Sequence, residues 1–239
     1  MKRFVLSLAV LCVSFSSAAA SDVFRPPAPQ DAATSLAVSR ASELEGFLYN
    51  QLLKEKKRGN YDAVISECHR ILKRDGRHYR ASRLLVEAAE EKGRVSSSRE
   101  DLYAALDFIE TSLSANQSPA HRFYGLGIAY KKLKDFPQAR RYLRMGISSG
   151  ARFWDVYEEL LTCYETKSDI EDNGVFFGGQ FRLQPDNPFL HQAQGITLLF
   201  GSSYKEALGA LETALRLHRR NGDKLAESQC LAWMSYAGM

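Results

Sequence analysis

Displaced against itself by 34 residues, this 239-residue chain returns apolar or small side chains at the same phase over three successive stretches. Starting from 123–147, one displacement carries Leu126 onto Leu160, Tyr130 onto Tyr164, Phe136 onto Ile170 and Leu143 onto Phe177. The next carries Gly127 onto Gly195, Phe136 onto Tyr204, Ala139 onto Ala207 and Leu143 onto Leu211. A period of this length marks a stack of small units, none of which buries its apolar face without its neighbours. Going backwards, Tyr61 falls where Phe136 and Tyr204 do, and the phase holds through Leu85, Ala89 and Gly93, slips by seven residues, and resumes at Leu102. The units read 45–78, 79–119, 120–153, 154–187 and 188–221, followed by a terminal helical stretch, 222–239.

Within a unit the spacing is helical. Leu126, Ala129, Tyr130 and Leu133 run i, i+3, i+4, i+7, and Phe136, Ala139, Leu143 and Ile147 resume after a break at Lys134 and Asp135. Two antiparallel helices per unit follow. The prolines agree, since Pro119, Pro185 and Pro188 sit at unit boundaries and Pro137 directly after the inter-helix break. The slip in the second unit is expected to place Arg94 to Arg99 in a longer loop, either a neutral insertion or a second contact edge.

This helix-turn-helix unit, with small residues where its two helices cross, resembles the tetratricopeptide repeat. Phe123, Leu126, Gly127, Tyr130, Phe136, Ala139 and Leu143 occupy the family's signature phases in the third unit, and Gly195, Tyr204, Ala207 and Ala214 do so in the fifth. The resemblance covers 45–239 and implies an all-α fold, an α-α superhelix of about five helix-turn-helix repeats plus a C-terminal helix. The fourth unit departs from it: Asn173 replaces the family's alanine, and Gly174, Gly178 and Gly179 weaken the second helix. That helix is expected to be the softest in the stack, through repeat decay or as a hinge.

Residues 1–20 carry Lys2 and Arg3, an apolar run from Phe4 to Val13 and a small-residue end at Ala18, Ala19 and Ala20, the pattern of a cleaved signal peptide. The apolar run is shorter than the ~20 residues a bilayer span needs. Residues 21–41 hold Pro26, Pro27 and Pro29 and read as a Pro-rich flexible linker, with the solenoid at 42–239. An exported bacterial protein is expected, periplasmic or extracellular, with no membrane span after cleavage. Thirty-two Lys plus Arg against 28 Asp plus Glu give +4, which falls to +2 once Lys2 and Arg3 leave. That balance argues against a nucleic-acid partner.

No Walker loop, His-Glu-x-x-His, Cys-x-x-Cys or Gly-x-Ser-x-Gly motif occurs, so neither catalysis nor a cofactor nor a metal is expected. Cys68, Cys163 and Cys230 fall on apolar phases too far apart in the stack to pair and read as buried small hydrophobes. Asn116 starts a glycosylation-type triplet but reads as a turn residue.

The resemblance also implies where a partner would lie: the first helix of each unit lines a concave groove. Carried over by phase, the lining is Arg80, Arg83, Glu87 and Glu90, then His121, Tyr124, Ile128 and Lys131, then Asp155, Glu158, Thr162 and Glu165, then Phe189, Gln192, Ile196 and Leu199. Its character grades from mixed charge through acidic to apolar, with Phe189, Ile196 and Leu199 as an anchor and Asp155 and Glu158 selecting a basic neighbour. The family's clamp for chaperone C-termini is not implied, because Tyr49, Leu53, His121 and Gly125 stand at its phases. In the last helix Trp233 and Met234 belong to an apolar face without a polar cap, a candidate assembly face for a homo-oligomer. The expected function is a non-catalytic scaffold binding a peptide or partner helix. A regulatory N-terminal module of a longer protein or enzyme and a self-assembling structural subunit stay open beside it.

Overall fold

The computed structural model describes residues 46–76, 78–111 and 119–237. The leader, the linker and Asn116 lie outside them. The described residues form eleven helices and no strand: α1 (46–57), α2 (Tyr61–Arg74), α3 (Tyr79–Ser96), α4 (Glu100–Thr111), α5 (Pro119–Lys132), α6 (Phe136–Ser148), α7 (Trp154–Leu161), α8 (Lys167–Gln180), α9 (Pro188–Phe200), α10 (Tyr204–Asn221) and α11 (Lys224–Ala237). The odd-numbered helices form one row, α3 on α5, α5 on α7, α7 on α9 and α9 on α11. The even-numbered helices form a second layer, and α4, α6, α8 and α10 each also touch the odd helix that follows. This is a helical solenoid of stacked pairs. A continuous seam of buried side chains runs from Leu52 of α1 to Ile196 of α9.

The turns repeat as closely as the core does. Gly59, Lys134 and Ser202 each take the left-handed conformation, at φ 83°, 65° and 64°. The next amide reaches back across the turn in each case: Asn60 to Glu55 at 3.1 Å, Asp135 to Tyr130 at 2.9 Å and Ser203 to Leu198 at 2.9 Å. These are the same helix-ending turn used in the first, third and fifth pairs, with the chain's own carbonyls satisfied before it reverses. Asp135 then accepts from the Gln138 amide at 3.2 Å to start α6, with Pro137 in its first turn.

Close approach within a pair depends on one small residue. A Cβ on Gly127 would stand 2.6 Å from Leu143, and one on Gly195 would stand 2.6 Å from Leu211, so α5 and α9 let a leucine of the partner helix press against bare backbone. The same phase in the fourth pair holds Leu161, and its counterpart is Phe177. Both are buried. Two large side chains where the neighbouring pairs have Gly and Leu hold α8 off α7, and these two helices scarcely approach each other along their backbones. The turn changes with the packing: α7 is only eight residues long, and α8 opens on a capping box between Thr166 and Asp169.

Asn173 acquires a reason in this setting. It is fully buried and its Oδ1 accepts a 2.8 Å hydrogen bond from Arg144 Nε of α6, so the displaced α8 is tied sideways through a polar contact where the other pairs use Ala. Gly174, Gly178 and Gly179 face open space and serve no close contact.

The loop expected at Arg94 to Arg99 is half as long as that, Ser97 to Arg99. Arg94, Val95 and Ser96 continue α3, which reaches 18 residues before Ser97 ends it in a left-handed conformation at φ 56°. An extra helical turn satisfies its own backbone hydrogen bonds, which a loop would have to leave to water.

Two sets of glycine substitutions should therefore act in opposite directions. Gly127→Ala and Gly195→Ala are each expected to cost about 1–3 kcal/mol through overpacking, whereas Gly174→Ala and Gly178→Ala should each add about 0.5–1 kcal/mol through helix propensity. Urea unfolding of the four variants checks both signs.

Candidate functional site

The row of odd-numbered helices carries a connected set of charges at its centre. Arg83 of α3 donates from Nε to Glu87 Oε1 at 2.9 Å on its own helix and reaches past α5 to α7, where Nη1 meets Asp155 Oδ1 at 3.0 Å and Nη2 lies 3.6 Å from Glu159 Oε1. Lys131 of α5 donates to Glu159 Oε2 and Thr162 Oγ1, both at 2.5 Å. On the other side Lys56 of α1 lies 2.6 Å from Glu87 and 3.3 Å from Glu91. The chain of contacts thus links α1, α3, α5 and α7, four consecutive first helices, without a break.

Local fields follow from this arrangement. Burial works against ionisation of Glu87, yet hydrogen bonds from Lys56 and Arg83 outweigh it and hold its carboxyl below the ordinary value. Burial likewise opposes the Arg83 charge, and Tyr124, Glu87 and Glu159 together keep that guanidinium more firmly protonated than usual. Glu158 is different. Its side chain reaches solvent and makes no ion pair among the described residues; partial desolvation, then the adjacent Asp155 charge, raise its pKa. With Arg80 and the Glu90–Lys132 pair included, six carboxylates (Glu87, Glu90, Glu91, Asp155, Glu158 and Glu159) face five cations (Lys56, Arg80, Arg83, Lys131 and Lys132), so the face keeps an acidic surplus of one charge, centred on α7.

Of the residues proposed from sequence, Arg83, Tyr124, Lys131, Asp155, Glu158 and Thr162 come together here. Tyr124 lies beneath the charges, buried, with its ring edge-on to Phe153 at 5.2 Å and to Tyr79 at 5.7 Å. His121 stacks on Phe153 at 5.1 Å, and Arg80 lies against Tyr79. Glu90 pairs with Lys132 at 2.8 Å, while Glu165 faces Arg140 of α6 and lies off this network. Ile128 is a core residue, not a lining one.

The apolar anchor expected on α9 is closed. Gln192, Ile196 and Leu199 are 0%, 2% and 4% exposed. Gln192 is bonded to His218 Nε2 of α10 at 3.1 Å and to Gln229 of α11 at 3.4 Å, and Leu199 packs with Trp233 and Met234. Phe189 is partly buried against Trp154, Tyr157 and His218. The reason is that α11 docks over this end of the row as the next first helix would.

The same docking corrects the assembly face. Trp233 and Met234 point inward, toward Leu199, Ala207 and Leu211, and Cys230 is buried against Ala214 and Leu215. What α11 presents outward is Leu225, Leu231 and Tyr236. Cys68, Cys163 and Cys230 are free and buried, each thiol pushed up to about 12 by burial. They are neither nucleophiles nor bridges in this state.

Sequence reasoning missed Lys56, Glu91 and Glu159. The signal was present in the alternation of sign along the row, cations on the third unit answered by carboxylates on the fourth, but Glu159 sits one residue off the lining phase that was carried over.

The model of the tetratricopeptide repeat family matches residues 51–112, which span most of the first pair and all of the second. Residues 51–112 thus carry the tetratricopeptide repeat match, and the helical pairs beyond them continue the same stacking. No curated protein matches it. Among solved structures, two crystal structures of MamA share 18% and 17% identity, covering 71% and 75% of this chain and 95% and 94% of theirs, with TM-scores of 0.39 and 0.38. A crystal structure of YrrB, described as a TPR protein with an unusual peptide-binding site, shares 15% identity over 71% of this chain and 91% of that one, with a TM-score of 0.35. Within the tetratricopeptide array no helix among the described residues is long and apolar enough to cross a membrane, and no cluster of His, Cys, Asp and Glu there has the makings of a metal site.

The two carboxylates of opposite tendency give a pH signature. Glu87 is depressed in the folded chain, so its stabilisation is present above the carboxylate range and fades as pH falls through its titration; Glu158 is raised, so stability is lost as pH rises through its titration. Glu87→Gln should lower stability near neutrality by about 1 kcal/mol after solvent screening, and Glu158→Gln should increase it. Both differences should vanish in acid, as read by thermal unfolding from pH 3 to pH 7.

Proposed function

We propose that this protein is a non-catalytic scaffold that holds a basic segment of a partner protein along the row of its first helices. The observation that carries the reading is the surplus of carboxylates over cations on that face, with Glu158 at its rim accessible and without an ion pair among the described residues. Repeats of this kind supply a continuous surface rather than an enclosed cavity, and nothing in the sequence motifs adds a nucleophile or a cofactor to it. Half-buried charges give such a face direction and selectivity more than raw affinity, and an acidic face speeds encounter with cationic partners. The leader pattern at 1–20 supports a setting outside the cytoplasm of a bacterium, in the periplasm or beyond.

The test is a panel of synthetic peptides of equal length, basic, acidic and neutral-apolar, titrated against the full chain by isothermal calorimetry. Basic peptides should bind, with affinity falling as salt is raised, and Glu158→Gln should weaken them by about three- to fivefold. Equal binding of acidic and basic peptides, or binding of none, would overturn the reading.

A further inference from the structure

At the centre of the face one guanidinium is held by the carboxylates of two helices. Arg83 turns all three of its guanidinium nitrogens to carboxylates: Nε to Glu87, Nη1 to Asp155 at 3.0 Å and Nη2 toward Glu159 at 3.6 Å. Only Glu87 belongs to its own helix. Asp155 and Glu159 are on α7, 72 residues away at Asp155, and neither depends on Arg83 for its place in the fold, since α7 is packed through Val156, Tyr157 and Leu160. Beneath them Tyr124 is 0% exposed and its hydroxyl makes no hydrogen bond among the described residues. The charges that act on this phenol are those of Asp155, Arg83 and Glu159, the same three groups that meet across α3 and α7. A buried hydroxyl left without a partner is uncommon in a folded protein and calls for an account of what it meets. Glu158, exposed, is the further carboxylate of α7 beside Asp155.

We propose that the hollow formed by Asp155, Glu159 and Tyr124 is a receptor for the guanidinium of one arginine side chain on the partner, and that Arg83 is its internal occupant. This rests on the basic-segment reading above and specifies its central contact. When the partner arrives, Arg83 keeps its bond to Glu87 on α3 and gives up its two contacts with α7. The incoming guanidinium takes Asp155 and the Oε1 of Glu159, whose Oε2 stays with Lys131, and donates to the phenolic oxygen of Tyr124, with no proton transferred. Glu158 supplies the charge that draws it in. An ammonium group is a poorer fit, because a compact point charge does not span two carboxylates with parallel N–H donors as the planar guanidinium does. Arg83 thereby sets the affinity: a receptor occupied by its own side chain binds its ligand more weakly in proportion to the fraction of time it stands open.

The deciding experiment is chemical rescue in the full chain. Arg83→Ala should melt at a lower temperature than the parent, and millimolar propylguanidinium should restore part of the loss where propylammonium at equal ionic strength does not. Tyr124→Phe added to Arg83→Ala should abolish the difference between the two cations. A peptide with one central arginine should bind Arg83→Ala about tenfold more tightly than the parent, the gain expected if the receptor is open about one-tenth of the time, and its citrulline analogue should show no such gain. If Arg83→Ala does not fold, the same peptides are titrated against the parent and against Tyr124→Phe, which removes only the unbonded hydroxyl: a several-fold loss specific to the arginine peptide supports the receptor, and equal affinity for both proteins overturns it. Equal rescue by both cations, or no tighter binding to Arg83→Ala, also overturns it. If basic peptides still bind the parent in that case, the scaffold reading stands and this inference alone fails; if no basic peptide binds either protein, the scaffold reading itself has failed.

Discussion

The distance at which two helices of a pair cross governs everything else in this molecule. Where Gly127 and Gly195 leave bare backbone, a leucine of the second helix seats at its closest approach, the pair becomes a rigid unit, and the next first helix finds a regular groove to lie in. Where Leu161 takes that position the pair opens. The consequence is local but not small: α7 is shortened, the turn after it is rebuilt on a capping box, and α8 is tied by the Arg144–Asn173 hydrogen bond rather than by interlocking apolar side chains.

That same fourth pair supplies the carboxylates of the acidic face. Asp155, Glu158 and Glu159 are three of the eight residues of α7, a helix whose other side is pinned by Val156, Tyr157 and Leu160 in the core. A short, well-anchored helix presenting charge on one side is a firm platform, and Arg83 and Lys131 reach it from two other units. Exposed ion pairs contribute little to stability. These are half-buried and chained, so their removal is felt on both sides, and their electrostatic meaning lies in what the face attracts rather than in how much it stabilises the fold.

Much of the candidate site was legible in sequence because the period assigns each residue a phase. Arg83, Lys131, Asp155 and Thr162 fall on one surface once the family resemblance names the lining phases and the period carries them along the chain. Phase was insufficient for Gln192, Ile196 and Leu199, whose positions on α9 are equivalent to lining positions elsewhere but are covered by α10 and α11. It also misled at Trp233 and Met234, because an apolar stripe is equally suited to an outside partner and to the preceding pair, and only the docked geometry distinguishes the two. The slip in the second unit was visible, yet the absorption of Arg94, Val95 and Ser96 into α3 depended on whether the helix could continue without collision.

The amino-acid sequence by itself determined the repeating unit: helix periodicity, turn residues and small side chains at the crossings are local properties, expressed within 34 residues and repeated, and each copy reinforces the same conformation. What only the tertiary structure decided was which charges meet. Arg83 and Asp155 are separated by two units along the chain, and their encounter depends on the accumulated rotation and spacing of three stacked helices, a sum of small displacements that no single stretch of sequence encodes.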